Sequence, residues 1–186
     1  SKLSRHDKEA GLDSDSNHLI LLAKNIQGYK NLMKIISVAN LEGYYYKPRT
    51  DLELLKEYHE GLICLSACLN GYVSEPLVKN QQETAEKRAK DLNEIFGEGN
   101  FYLELQKHLN IPEQEQLNTK LIALSGKLGI PLVATNDNHY VNSDDAQAQE
   151  ALLCIQTQTT LDQKDRKLSM ISSPDFYIKS PEEMTG

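Results

Sequence analysis

The sequence predicts an α/β fold in which short parallel strands alternate with crossover helices, and three observations predict it. Four short apolar runs, at residues 18–23, 61–66, 101–105 and 131–135, each have the length of a buried strand. The segments between them carry apolar residues at helical spacing, which is the rhythm of a parallel sheet or barrel. The fourth run opens into Thr135, Asn136, Asp137, Asn138 and His139, and the carboxyl edge of the strands is where such folds keep their reactive groups.

Taken in order, residues 1–17 are polar and aperiodic and predict a flexible arm. The apolar run at 18–23 predicts the first strand; after a turn at 25–28, Tyr29, Leu32, Met33 and Ile36 fall on one helical face. Residues 51–59 predict a short amphipathic helix before the second strand at 61–66. Ala85, Ala89, Leu92 and Ile95 mark helical material within 75–95 before the third strand, and Leu117, Leu121 and Leu124 share a face of a helix over 113–128 before the fourth. Ser143 followed by Asp144 and Asp145 reads as an N-cap with an acidic first turn, with Ala148, Leu152 and Ile155 inside. Residues 161–186 predict a connecting segment, with a solvated charge run at 162–167 and one short strand at 176–178. The body of the domain is thus expected over 18–160.

Composition narrows the function classes. The chain has 186 residues, 39% hydrophobic and 25% charged, enough for one sizeable core, and no apolar run approaches the ~20 residues that span a bilayer. No signal peptide opens it, so a soluble protein is expected. A net charge of -7 argues against a surface that grips phosphate backbones unaided. Cys64, Cys68 and Cys154 are too few for a disulfide framework and fit thiols in a reducing cytoplasm, Cys64 and Cys154 as packing groups. Phosphate-binding glycine loops, a serine-hydrolase elbow and C-x-x-C are all absent.

Asp137 and His139, two apart at strand spacing, point to the same side and offer a carboxylate and an imidazole, donors suited to Zn, Mn or Fe; the alternative is a loop whose polar side chains bond its own backbone. Cys68 ends the second strand at the corresponding edge, as a thiolate ligand or as a small buried hydrophobe. His18 precedes its strand, which in a uniformly parallel sheet is the opposite edge. Glu104 and His108 lie near the end of the third strand as supporting groups or substrate contacts, His108 also reading as a surface residue; His6 and His59 read as exposed. The loop at 41–49, with Tyr44, Tyr45, Tyr46, Lys47 and Arg49, either stacks bases and contacts phosphates or packs its rings with the cations in water.

Taken together, the strings HLILLAKN (18–25), LEG (41–43), KPR (47–49), FYLEL (101–105), ATND with HY (134–140), LCIQ (153–156) and KSPEEM (179–184) resemble, in order and spacing, the N-terminal region of the bacterial DNA polymerase III alpha subunit family. That region is a PHP domain, so the resemblance implies a PHP-type distorted (β/α)7 barrel with metal ions at its strand ends. It implies Cys68, Asp137 and His139 as metal ligands, with His18 as a further candidate and Zn or Mn as the metal; Tyr45, Lys47 and Arg49 are candidate nucleic-acid contacts from the chemistry of their loop alone. For the parent chain it implies template-directed DNA synthesis, with DNA, other replicase subunits and a proofreading exonuclease as partners. The family's opening H-x-H and the His and Glu ligands of its next strands are not found, so the sequence is expected to be a piece lacking the first strands and inactive alone. A free-standing PHP phosphoesterase and a metal-free interaction domain are the alternatives.

Overall fold

The computed structural model describes residues 4–8, 16–163, 165, 166 and 168–185. Its elements, in order, are β1 (Ile20–Ala23), α1 (Ile26–Leu41), α2 (Leu52–Tyr58), β2 (Leu62–Leu65), α3 (Ser74–Val78), α4 (Gln82–Phe96), β3 (Phe101–Gln106), α5 (Pro112–Leu128), β4 (Leu132–Thr135), α6 (Ala146–Thr157) and α7 (Pro181–Thr185). The strands form one sheet in the order β1-β2-β3-β4. Among the described residues no helix is long and apolar enough to cross a membrane. The chain divides into two compact units, Ser1–Glu104 with Lys120–Val133, and Leu105–Thr119 with Ala134–Gly186.

In the first unit the expected parallel pairing holds for β2 and β3, where Cys64 faces Phe101 and Leu65 faces Tyr102. It does not hold for β1, which runs antiparallel to β2 with Ile20 opposite Leu65 and Ala23 opposite Leu62. Two helices join β1 to β2 and each reverses the chain, whereas a parallel pair needs the single return that α4, following the one-turn α3, supplies between β2 and β3. Phe101, Leu103, Leu92, Leu121 and Leu124 are fully enclosed and form the core of this unit, as the helical spacing of α4 and α5 predicts.

Helix α1 packs by the face opposite to the expected one. Tyr29, Met33 and Ile36 are exposed, while Gly28, Asn31, Ile35, Val38 and Ala39 are buried. The apolar residues of α1 spread over more than one face, which leaves the choice of face to its neighbours, and the smallest residue decides it here. A Cβ on Gly28 would stand 1.8 Å from the Gly61 carbonyl oxygen, so only this face lets α1 approach the start of β2. Asn25 caps the helix by accepting the Gly28 N–H at 2.9 Å, and the Asn31 amide donates to the Glu60 carbonyl at 2.8 Å.

The arm expected over 1–17 is anchored where it is described. The Arg5 backbone N–H donates to Asp51 at 2.7 Å and its guanidinium donates to the same carboxylate at 3.1 Å. Residues 9–15 lie outside the described residues. Asp51 also caps α2, accepting the Leu54 N–H at 3.0 Å. Burial pushes its carboxyl pKa up, but the backbone N–H groups of Arg5 and Leu54, with the charge of Arg5, more than offset this and hold it below the ordinary value. A depressed folded-state pKa adds stability above the unfolded value of 3.8 and loses it as pH falls through the folded one. Asp51→Asn keeps a capping side chain and removes the charge, so the gap in Tm between wild type and variant should be widest near neutral pH and should narrow below about pH 4. A gap of constant width across that range would refute this role for the carboxylate.

In the second unit a one-turn 3-10 helix, Ser143–Asp145, precedes α6, and Asn142 with Asp145 forms the capping box, one residue earlier than the expected Ser143 cap. Leu152 and Ile155 are exposed rather than inside; α6 instead buries Leu153, Cys154 and Glu150. The Glu150 carboxylate dictates that face, because a buried charge must be paired. It accepts from Arg166, from the Ser169 hydroxyl at 2.6 Å and from the Met170 N–H at 3.0 Å. Arg166 is thereby drawn out of the expected solvated charge run, of which Lys164 and Lys167 lie outside the described residues.

Candidate metal centre

The antiparallel turn of β1 moves His18 to the edge that a parallel reading denies it. Because the start of β1 lies beside the end of β2, His18 bridges to Gly71 in the turn that follows β2, and its Nδ1 lies 3.3 Å from the Cys68 Sγ. That turn is tightly built. Ala67 takes a left-handed φ of 62°, its N–H held by the Glu104 carboxylate at 3.0 Å, and the Glu104 N–H donates in turn to the Ser66 hydroxyl at 2.8 Å. Glu104 is 1% exposed, a buried carboxylate that presents Cys68. By contrast Cys64 is wholly enclosed and burial pushes its thiol pKa up, so it is a packing group, as is buried Cys154.

In the second unit the polar cluster after β4 brings Asp137 Oδ1 to 3.7 Å from His139 Nε2, both side chains more than a third exposed. Asp137 has a φ of 47°, and this left-handed residue turns the chain so that two side chains two residues apart converge. Its neighbour Asn136 is buried and donates to the Asp175 and Tyr177 carbonyls, both at 2.8 Å. The segment expected only as a connection is therefore fixed along this loop, and the strand expected at 176–178 is a single bridge between Tyr140 and Tyr177.

His108, expected at the surface, is buried. Its ring stacks on Phe176 at 4.1 Å, and neither ring nitrogen has a hydrogen-bond partner, although Nδ1 lies 3.8 Å from the Asp175 carboxylate. Burial pushes its pKa below the usual histidine value, against the pull of the Asp175 and Asp137 carboxylates, so the ring is a neutral plate at neutral pH. It borders a cleft of about 420 Å³, also lined by Gln106, Thr135, Asn136, Asp175 and Lys179. The roles of Asn136, His108 and Phe176 had no signal in periodicity; Asn136 stood out only as part of the polar cluster, His108 only by its place near the end of the third strand, and Phe176 only within the short strand expected at 176–178.

The loop at 41–49 splits its expected contacts. Lys47 and Tyr46 are exposed and Tyr45 is half-buried. Arg49 is 2% exposed, and its guanidinium donates to the carbonyls of Gly43, Arg5 and Asp7 at 3.1, 3.2 and 2.7 Å. A group so enclosed has no face to offer a phosphate backbone; it closes the loop onto residues 4–8. His6 and His59 are exposed, as expected.

Two donors on one tetrahedral ion, at about 2.3 Å for sulfur and about 2.05 Å for nitrogen, stand about 3.5 Å apart, and an oxygen–nitrogen pair about 3.4 Å. The His18–Cys68 spacing of 3.3 Å and the Asp137–His139 spacing of 3.7 Å are both close to that bite. Among the described residues no group of three or more His, Cys, Asp or Glu is gathered around one point, so each pair by itself offers two donors and no more.

Paired His, Cys and Asp side chains beside the strand ends of an α/β sheet are donors of the kind a metal-dependent class of domain uses, and the family model of the PHP domain matches residues 4–108. The chain belongs to the PHP domain family. Its relatives are more particular: it is 47% identical over 177 residues to the DNA polymerase III subunit alpha of Borreliella burgdorferi, 95% of this chain and 15% of that one. It is 44% identical to that of Thermus aquaticus (97% and 15%) and 41% identical to that of Aquifex aeolicus (97% and 16%). The chain thus spans about 15% of the length of the relatives it matches, and it corresponds to the PHP region of those subunits. Asp137 and His139 lie outside the residues that the family model matches.

Proposed function

We propose that this chain is the PHP part of the catalytic subunit of a bacterial replicative DNA polymerase, and that it holds divalent metal, zinc or manganese, through His18 and Cys68 in one unit and Asp137 and His139 in the other. The observation that carries the proposal is identity of 40–47% to proteins named DNA polymerase III subunit alpha over at least 90% of this chain. In the whole protein the reaction is template-directed nucleotidyl transfer in the cytoplasm, with DNA and other replicase subunits, a proofreading exonuclease among them, as partners. No catalytic residue of that transfer is assigned to this chain.

The chemistry of the PHP part follows from its own donors. A bound divalent ion supplies Lewis-acid polarisation to a phosphate ester. Cys68 and His18 form a soft N/S pair suited to zinc, held in place by Glu104 through the Ala67 N–H. Asp137 and His139 form a harder O/N pair open to solvent, the side from which a phosphate ester arrives. Lys47 and the ring of Tyr45 remain the nucleic-acid contacts of the 41–49 loop, with Arg49 as the brace behind them.

The test is metal stoichiometry of the full chain by elemental analysis, with phosphodiesterase activity on a single-stranded oligonucleotide beside it. Cys68→Ser, His18→Ala, Asp137→Asn and His139→Ala should each lower the bound zinc or manganese by at least half and remove any hydrolysis. Metal content equal to wild type in all four would sink the assignment.

A further inference from the structure

We infer that Asn136 and Phe176 are positioning residues for the Asp137–His139 donor pair, holding it at the spacing one metal ion requires; this rests on the metal-binding reading above. In an extended strand, residues two apart stand roughly 6.6 Å from each other, too far for both to grip one ion without a bend. Here the bend is Asp137 itself, at φ 47°. A residue other than glycine is uncommon in that region and is kept there by its surroundings. Both side chains of the pair are more than a third exposed, so their own packing does not hold the bend.

What holds it is the segment that carries Phe176. On one side of Asp137, Asn136 is 5% exposed and donates its amide to the Asp175 and Tyr177 carbonyls, bracketing Phe176. On the other side the His139 N–H donates to the Phe176 carbonyl at 2.8 Å. The bracing continues past the pair. The Phe176 N–H donates to the Tyr140 hydroxyl at 3.3 Å, and the Ile178 N–H donates to the Val141 carbonyl at 3.3 Å. The backbone on either side of Asp137 is therefore pinned to one short stretch of chain.

The imidazole is held as well as its backbone. The Phe176 ring is 6% exposed and meets the His139 ring edge-on, centroids 5.7 Å apart at 81°. Phe176 is itself stacked on His108 at 4.1 Å and 21°. His108, buried with both ring nitrogens unpartnered, serves here as a flat neutral surface. Edge-to-face contact orients a ring without occupying its nitrogens, which leaves Nε2 of His139 available to the ion. The residues that support ligands in this way typically change metal affinity by about 10–100-fold when removed.

The test is cobalt(II) binding to the metal-stripped full chain, followed by its visible absorption and by competition with a chelator, without reference to turnover. Phe176→Leu, which keeps apolar volume but loses the ring, and Asn136→Ala should each weaken cobalt binding by about 10–100-fold and alter the absorption bands, with the far-ultraviolet dichroism unchanged. Phe176→Tyr keeps the ring and should restore wild-type affinity and spectrum. Phe176→Leu is the gentler change and decides the matter if Asn136→Ala does not fold. If Phe176→Leu binds cobalt like wild type while Asp137→Asn does not, or if Phe176→Tyr fails as badly as Phe176→Leu, positioning is overturned and metal binding stands. If the wild-type chain takes up no cobalt, the metal-binding reading itself falls.

Discussion

Gly28→Ala should lower Tm by roughly 6–12 °C, from a cost of about 3 kcal/mol at 2–4 °C per kcal/mol for a chain of this size. In an open helix the same change would gain up to about 1 kcal/mol, because glycine is the poorer helix former. The sign reverses because the new methyl would lie 1.8 Å from the Gly61 carbonyl oxygen and 2.5 Å from its carbon. Those are backbone atoms and cannot swing aside. Gly61 has a φ of 72° and would itself place a Cβ 2.4 Å from the Asn25 side chain, so the two glycines fit only each other. Gly126 in α5 is the control: nothing lies within 4 Å of a Cβ there, and Gly126→Ala should raise stability by about 0.5–1 kcal/mol. Thermal melts of the two variants with wild type decide the matter. If both shift Tm the same way, close approach at Gly28 is not what seats α1.

Arg49→Met should destabilise by roughly 3 kcal/mol, since the methionine fills the space but leaves three carbonyls without the donor that now serves them. Arg49→Lys should recover little of this. One ammonium cannot reach the Gly43, Arg5 and Asp7 oxygens together as the planar guanidinium does. The outcome also separates the two readings of the loop. A contact to nucleic acid would tolerate lysine and would show itself in salt-dependent DNA binding, with Tm unmoved. A brace loses Tm with both substitutions, and residues 4–8 become open to proteolysis. Denaturant melts with limited proteolysis of the full chain read both effects.

Most elements were legible because their signals are local. Helical spacing at Ala85, Ala89, Leu92 and Ile95, and at Leu117, Leu121 and Leu124, marked faces that are in fact buried. Each of the four apolar runs became a strand within a residue or two of its expected bounds. The candidate ligands were legible for the same reason: Cys68, Asp137 and His139 each follow the end of a strand, where an α/β fold exposes its loops. His18 was legible only through the resemblance, since its place before a strand argued against it.

The residues by themselves determined which segments are helix or strand, that the chain is an α/β PHP domain, and which donors it has to offer. The tertiary structure decided the rest. The direction of β1 follows from two helices returning the chain, and that direction alone carries His18 to Cys68. The seating of α1 follows from a steric fit between Gly28 and Gly61, 33 positions apart, and the face of α6 from a buried Glu150 that needs Arg166. Burial of Arg49 and His108 likewise depends on partners far along the chain, the carbonyls of Arg5 and Asp7 for one and the ring of Phe176 for the other. Periodicity reports which residues can be buried. Where a segment has two apolar faces, or a polar group has a distant partner, only close packing between remote stretches settles which of them are.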